Sequence, residues 1–197
     1  MAGAQAVPSA AAAAEGEGDG TLAISGTAWP GYNLEAAQAF HRALRSAGVN
    51  FAVYNPDSLL APIEELLEQD PEVQTVVCSR EDEGIAIALG AYLGGKLPVA
   101  LMEGSGLGMS GLILARGILQ RTPLLVIASH NRALGEQFDY HGATRMVGEA
   151  TLAGLNIPYT VLHDTSEIDR VVRESVLTIK GQRLPVGILV PRHVSRT

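Results

Sequence analysis

The chain has 197 residues, of which 47% are hydrophobic and 18% charged, with a formal net charge of −7. That is the composition of one globular domain, and it excludes a disordered or repetitive chain. The acidic balance and the absence of any Lys/Arg cluster argue against a protein built to grip nucleic acid.

The single cysteine, Cys78, rules out an internal disulfide framework and fits a reducing compartment. Every apolar run is interrupted before the roughly 18 to 20 residues needed to span a bilayer. A cytoplasmic protein with no membrane role is therefore expected.

Residues 1–31 stand apart. Eight of the first fourteen are Ala, a Glu/Gly/Asp run follows, and the first cation is Arg42. Such a segment has too little apolar surface to offset the entropy of ordering it. It also lacks the basic start and bulky apolar core of a secretory signal. It reads as a mobile Ala/Gly-rich tail ahead of one domain over 32–197.

Within that domain, helical and strand-like apolar periods alternate. Asn33 is placed to cap a helix over 33–48. A strand at 50–54, a turn at 55–58 and a helix at 59–67 follow. A β-branched strand at 73–78 leads into a helix of small residues at 81–93, closed by Gly94-Gly95. Next come a strand at 97–102, a glycine-rich turn at 103–108, a helix at 109–119 and a strand at 123–129. Beyond the polar stretch 130–141 lie a helix at 143–153 and a strand at 158–162. A long helix at 166–180, with Asp164 and Glu167 at capping-box spacing, and a last strand at 185–190 complete the chain.

Six short apolar strands separated by helices predict an α/β fold, three-layered and doubly wound. Its mostly parallel six-stranded sheet would carry helices on both faces. Ligands of such sheets bind outside the carboxyl ends of the strands. Attention therefore falls on 55–58, 79–83, 103–108 and 130–141.

Glu81, Asp82 and Glu83 open a helix, where the macrodipole favours acids. Helix-start chemistry alone accounts for them. The run behind them, Gly84, Ala86, Ala88, Gly90 and Ala91, makes a slim helix that suits either tight internal packing or close approach of a flat ligand. Glu103-Gly104-Ser105-Gly106-Leu107-Gly108 sits between strand and helix as phosphate turns do, yet matches neither a Walker loop nor a dinucleotide fingerprint. His130, Asn131, Arg132, Asp139, His141 and Arg145 crowd the next loop, as ligand contacts or as a solvated lid. His41, His163 and His193 have no metal-ligand spacing, and Cys78 ends an apolar strand as a small buried hydrophobe does.

Together these stretches resemble the pyrimidine-binding domain of thiamine-diphosphate enzymes, in particular the separate alpha subunit of sulfopyruvate decarboxylase and the matching part of phosphonopyruvate decarboxylase. The resemblance spans 34–190 and is carried by 49–60, 80–95, 102–108, 123–129 and Asn156-Ile157-Pro158-Tyr159. It implies a glutamate that hydrogen-bonds the cofactor's pyrimidine nitrogen and so activates the cofactor to attack a 2-oxo acid. Counting back from Gly90 gives Glu81; counting from Glu83-Gly84 gives Glu83.

The resemblance further implies cofactor contacts from Pro56, Asp57, Ser105, Gly106, Leu107 and Gly108, and substrate contacts from His130, Arg132 and His141. The family's second domain, which binds the diphosphate through Mg²⁺, has no counterpart in this sequence. A beta subunit carrying that domain, in an even-numbered hetero-oligomer, is thus implied, with no metal held by this chain's own residues. Two departures stand out: Glu103-Gly104 where the family has Gln-Asn, and Met109 where it has Asn. A carboxylate at 103 is expected to repel a sulfonate or phosphonate. The alternative roles are a carboligase subunit and a non-catalytic scaffold or regulatory subunit.

Overall fold

The computed structural model describes residues 22, 24, 29–131 and 138–197. The six strands are β1 (Phe51–Tyr54), β2 (Gln74–Val77), β3 (Pro98–Met102), β4 (Leu125–His130), β5 (Tyr159–Val161) and β6 (Val186–Pro191). They form one sheet in the order β2-β1-β3-β4-β6-β5, and every neighbouring pair is parallel. The chain leaves β1 for β2 on one side and returns to β3 on the other, so the order reverses at β1.

Alternating strand residues feed two cores, as a sheet covered on both faces requires. Ala52, Tyr54, Val99, Leu101, Leu125 and Ile127 face helices α1 (Leu34–Ser46), α2 (Ala61–Gln69) and α7 (Ile168–Gln182) through Phe40, Leu44, Leu66 and Ile179. The intervening Phe51, Val53, Ala100, Met102, Val126 and Ala128 face α3 (Glu81–Leu93), α4 (Gly104–Met109), α5 (Gly111–Leu119) and α6 (His141–Gly154) through Ile85, Leu89, Leu107, Leu114 and Leu152. Each fully buried aliphatic contributes on the order of 1.5–3 kcal/mol relative to exposure. Cys78 belongs to the second core.

The helix ends follow their sequence signals. The Asn33 side chain accepts from the Ala36 amide at 3.1 Å. α3 closes with the Gly94 amide on the Gly90 carbonyl, and Gly95 takes φ +89°. Asp164 accepts from Ser166, while Glu167 reaches back one residue further than a capping box, to the His163 amide at 3.0 Å. A short 3₁₀ turn, Thr165–Glu167, therefore precedes α7.

Three expectations are corrected, and one element is additional. The segment 103–108 is no turn: Gly104–Met109 is helical, with the Ser110 amide on the Gly106 carbonyl at 2.9 Å. Glycine's poor helix propensity is overridden by packing, because a Cβ at Gly104 would stand 2.5 Å from the Ser129 carbonyl oxygen. His130 ends strand β4 and does not belong to a polar loop. After β6 the chain forms a short helix, α8 (Arg192–Ser195), that the sequence reading did not foresee. Finally, within the span read as a tail, Ile24 is buried in the first core and Leu22 and Trp29 pack against it, so packing extends N-terminal of residue 32.

Candidate active site

A cleft of about 490 Å³ opens at the carboxyl ends of the strands, where β1, β3, β4 and β6 hand over to the segments that follow them. Asn55 to Leu59 follow β1, Glu81 begins α3, and Glu103 follows β3. Asn131, Phe138, Tyr140 and His141 follow β4, and Arg192 and Arg196 follow β6.

Asp57 is buried at the end of β1. Its Oδ1 accepts from the Leu59 and Leu60 amides at 2.8 and 3.1 Å, and its Oδ2 from the Ser129 hydroxyl at 3.2 Å. Burial pushes its carboxyl above the usual range, those hydrogen bonds pull it back, and the nearby Glu103 raises it further. Behind it, Glu64 of α2 accepts from the Asp57 amide at 3.2 Å. Burial, and then the neighbouring Asp57, hold the Glu64 carboxyl well above its ordinary value.

Glu103 is fully engaged. Its two oxygens accept from the Ser105 and Thr144 hydroxyls, each at 2.9 Å, so the carboxylate is tied to α4 on one side and α6 on the other.

Glu81 is half-buried, the first residue of α3, and its carboxyl-bearing side chain lines the cleft. Gly106 makes the room: a Cβ there would sit 2.3 Å from Cγ of Glu81. Glu83 does not line the cleft, and its carboxylate turns back to accept from the Ser79 amide at 3.2 Å. Of the two glutamates that counting left open, Glu81 is thus the one at the cleft.

Of the other residues singled out in the sequence, Pro56, Asp57 and His141 reach the cleft, and so does Asn131. Ser105, Leu107 and Gly108 do not line it. Ser105 orients Glu103, Leu107 is buried in the second core, and Gly108 abuts Val147 of α6. His130 is turned toward Glu149, 3.3 Å away, and Glu149 also accepts from Tyr159 at 3.1 Å. Arg132 lies outside the described residues. Among those residues, no group of three or more His, Cys, Asp or Glu side chains is disposed to hold a metal ion.

Arg192 and Arg196 were missed. The signal was available, because both follow the carboxyl end of a strand, the rule that selected the other segments.

A doubly wound domain whose strand ends open on a glutamate-walled cleft has the form of a ligand-binding α/β domain. The profile of the thiamine pyrophosphate enzyme N-terminal TPP-binding domain matches residues 34–150, and the chain belongs to that family.

The sulfopyruvate decarboxylase alpha subunit of Methanococcus maripaludis is 31% identical over 160 residues, covering 80% of this chain and 95% of that one. The corresponding subunit of Methanothermobacter thermautotrophicus is 33% identical, covering 73% and 85%. The phosphonopyruvate decarboxylase of Streptomyces viridochromogenes is 28% identical, covering 77% of this chain and 39% of its own. Among solved structures, the 2-oxoglutarate:ferredoxin oxidoreductase from Magnetococcus marinus superposes with a TM-score of 0.66 at 18% identity, over 82% of this chain and 29% of that one. That likeness is one of fold.

Proposed function

We propose that the chain is the pyrimidine-binding alpha subunit of a two-chain, thiamine-diphosphate-dependent 2-oxo acid decarboxylase of the sulfopyruvate or phosphonopyruvate type. A beta subunit supplies the diphosphate- and Mg²⁺-binding half of the site. The observation that carries this reading is the Glu81 side chain on the wall of the strand-end cleft, seated in the space left by Gly106. The donor set fits the pyrimidine ring, which needs one carboxyl partner and close, flat approach.

Thiamine diphosphate, when bound, supplies the nucleophilic carbon for a 2-oxo acid and the electron sink as CO₂ leaves. Glu81 would hold the pyrimidine nitrogen by a carboxyl hydrogen bond and so serve as this chain's part of the proton relay. Phe138 and Tyr140, with ring centroids 5.4 Å apart, stand beside His141 at the cleft and give it an aromatic wall. Glu103, with both oxygens engaged by hydroxyls, orients α4 and α6 around the glutamate.

The distribution of exposed apolar side chains supports a partner. Leu93, Met109, Leu112, Leu119, Met146 and Val147 all project from α3 to α6, which pack together as one layer, whereas the opposite helical layer exposes Leu177 alone among the described residues. An apolar face of this extent marks an interaction surface.

The test is assembly with the co-purifying subunit, thiamine diphosphate and Mg²⁺, followed by CO₂ release from sulfopyruvate. Glu81→Gln should lower kcat by about 10²- to 10⁴-fold without disturbing assembly. Full activity in that variant would refute the relay role. A complex that neither binds thiamine diphosphate nor releases CO₂ would favour a scaffold or regulatory subunit. Acyloin product in place of aldehyde would make the chain a carboligase subunit.

A further inference from the structure

The cleft holds two cations as well as its acids. Arg192 and Arg196 both line it, and neither forms an ion pair with any described residue. Arg196 is nonetheless held firmly. One of its terminal nitrogens, Nη2, donates to the Tyr32 hydroxyl at 2.7 Å and to the Ser58 carbonyl at 3.3 Å, and its Cζ lies 3.4 Å from the centre of the Tyr32 ring. None of these partners is an anion, and its Nε is buried with no hydrogen-bond acceptor.

The backbone holds this arrangement in place. Tyr32 and Arg196 form an antiparallel bridge, and the Asn33 amide donates to the Ser195 carbonyl at 3.0 Å. Arg192, the first residue of α8, is exposed where β6 ends. Burial first, and more weakly the like charge of Arg192, work against the charged form of Arg196, while Tyr32 and Asp57 favour it. A guanidinium stays protonated regardless. Two like charges in one cleft, neither in an ion pair with a described residue and one of them stacked, pre-oriented and left with an unpartnered donor, suit an anionic ligand.

We infer that Arg192 and Arg196 bind the second acid group of a 2-oxo acid substrate, a sulfonate, phosphonate or carboxylate distal to the reacting carbonyl, and that this subunit thereby selects dianionic over monoanionic substrates. The inference rests on the decarboxylase reading of the cleft. It also answers the repulsion expected from Glu103, whose oxygens are occupied by hydroxyl donors while the arginines offer the compensating charge.

The experiment uses the assembled enzyme with thiamine diphosphate and Mg²⁺. Steady-state kinetics are measured with sulfopyruvate and with pyruvate, and binding of each is followed by calorimetry in Glu81→Gln enzyme, where turnover does not interfere. Arg192→Gln should raise KM for sulfopyruvate by about 10- to 100-fold, the value of a charge-assisted hydrogen bond, and leave KM for pyruvate within about twofold. Arg196→Gln should do the same. Arg196→Lys should fall between, because an ammonium keeps the charge and loses the fork. Arg192 is exposed and forms no ion pair, so its variant tests the inference even if Arg196→Gln fails to fold.

Equal losses for sulfopyruvate and pyruvate, or none for either, would overturn the inference while leaving the decarboxylase reading intact. If the wild-type complex turned over neither acid but bound sulfopyruvate through these arginines, the anion site would stand and the decarboxylase reading would fail. Absence of both turnover and binding would refute the two together.

Discussion

Glu81 and Gly106 are in contact only because residue 106 has no side chain, since a Cβ there would overlap Cγ of Glu81 at 2.3 Å. The first residue of α3 and the third of α4 therefore share one small space at the head of the cleft. Gly106→Ala should displace the carboxyl by a good fraction of an ångström and lower kcat by about 100-fold, the usual effect of such misplacement. Overpacking should destabilise the fold by about 1–3 kcal/mol, so thermal melting and turnover measured together separate the two effects.

Glu64 predicts a pH effect on stability. Its folded-state pKa is raised by burial, so the stability it contributes is fully present below its unfolded-state pKa, about 4, and is lost as pH rises through the folded value. Glu64→Gln keeps an oxygen that can accept from the Asp57 amide and removes the buried charge. The variant should melt higher than the wild type at pH 7.5, and the gap should close as pH falls toward 4. At this chain length each kcal/mol recovered reads as roughly 2–4 °C. A gap that widens toward acid pH would reverse the assignment.

Asp70 gathers a buried network at the opposite end of α2. Its Oδ2 accepts from His41 Nε2 and Arg45 Nε, each at 2.8 Å, and its Oδ1 from the Glu72 amide at 2.9 Å. Asp70→Ala leaves two cationic or polar groups without their shared acceptor and should cost about 3 kcal/mol, measured by urea unfolding. Because the site lies far along the helix from Asp57, kcat of the assembled enzyme should hold within about twofold at low temperature.

The exposed apolar layer gives a prediction about assembly. Leu112→Glu and Met146→Glu alter side chains that are 66% and 74% exposed, so folding should be unchanged within about 0.5 kcal/mol. Analytical ultracentrifugation should show the isolated wild-type chain self-associating and the double variant remaining monomeric. The same variant should fail to capture the partner subunit.

Much of the fold was legible in the sequence, because parallel strands covered on both faces are short, apolar and β-branched, and turn residues separate them. Asn33, Gly94 and Gly95 announced their helix ends, and the strand-end rule led to Asp57, Glu81, Glu103 and His141. What escaped notice was decided by packing between segments distant in sequence. Gly104 and Gly106 look like turn residues until α6 and Glu81 are brought against them, and only then does their lack of a side chain favour a helix. Glu81 and Glu83 are equivalent on paper. The Ser79 amide, presented by the strand-to-helix turn, claims Glu83 and leaves Glu81 for the cleft. Arg192 and Arg196 follow the end of the last strand, but what orients Arg196 in the cleft is not local, since Tyr32 is 164 positions away in the chain.

The pairing of residues 31–33 with 195–197 reaches beyond catalysis. The Thr197 amide donates to the Gly31 carbonyl at 3.2 Å, beside the Tyr32–Arg196 bridge, so the segment leading into α1 lies next to the segment that follows α8. A domain whose first and last helices are tied together at one point keeps its fold whatever chain it is joined to. It can be spliced into a longer polypeptide, or stand by itself, without any change to the path of the chain inside it. The relatives display both arrangements: the matched stretch fills 95% of the Methanococcus subunit and 39% of the Streptomyces enzyme. Gene fusion and fission between such forms ask little of the architecture, and a module linked after Thr197 would emerge beside the rim of the cleft that Arg196 lines.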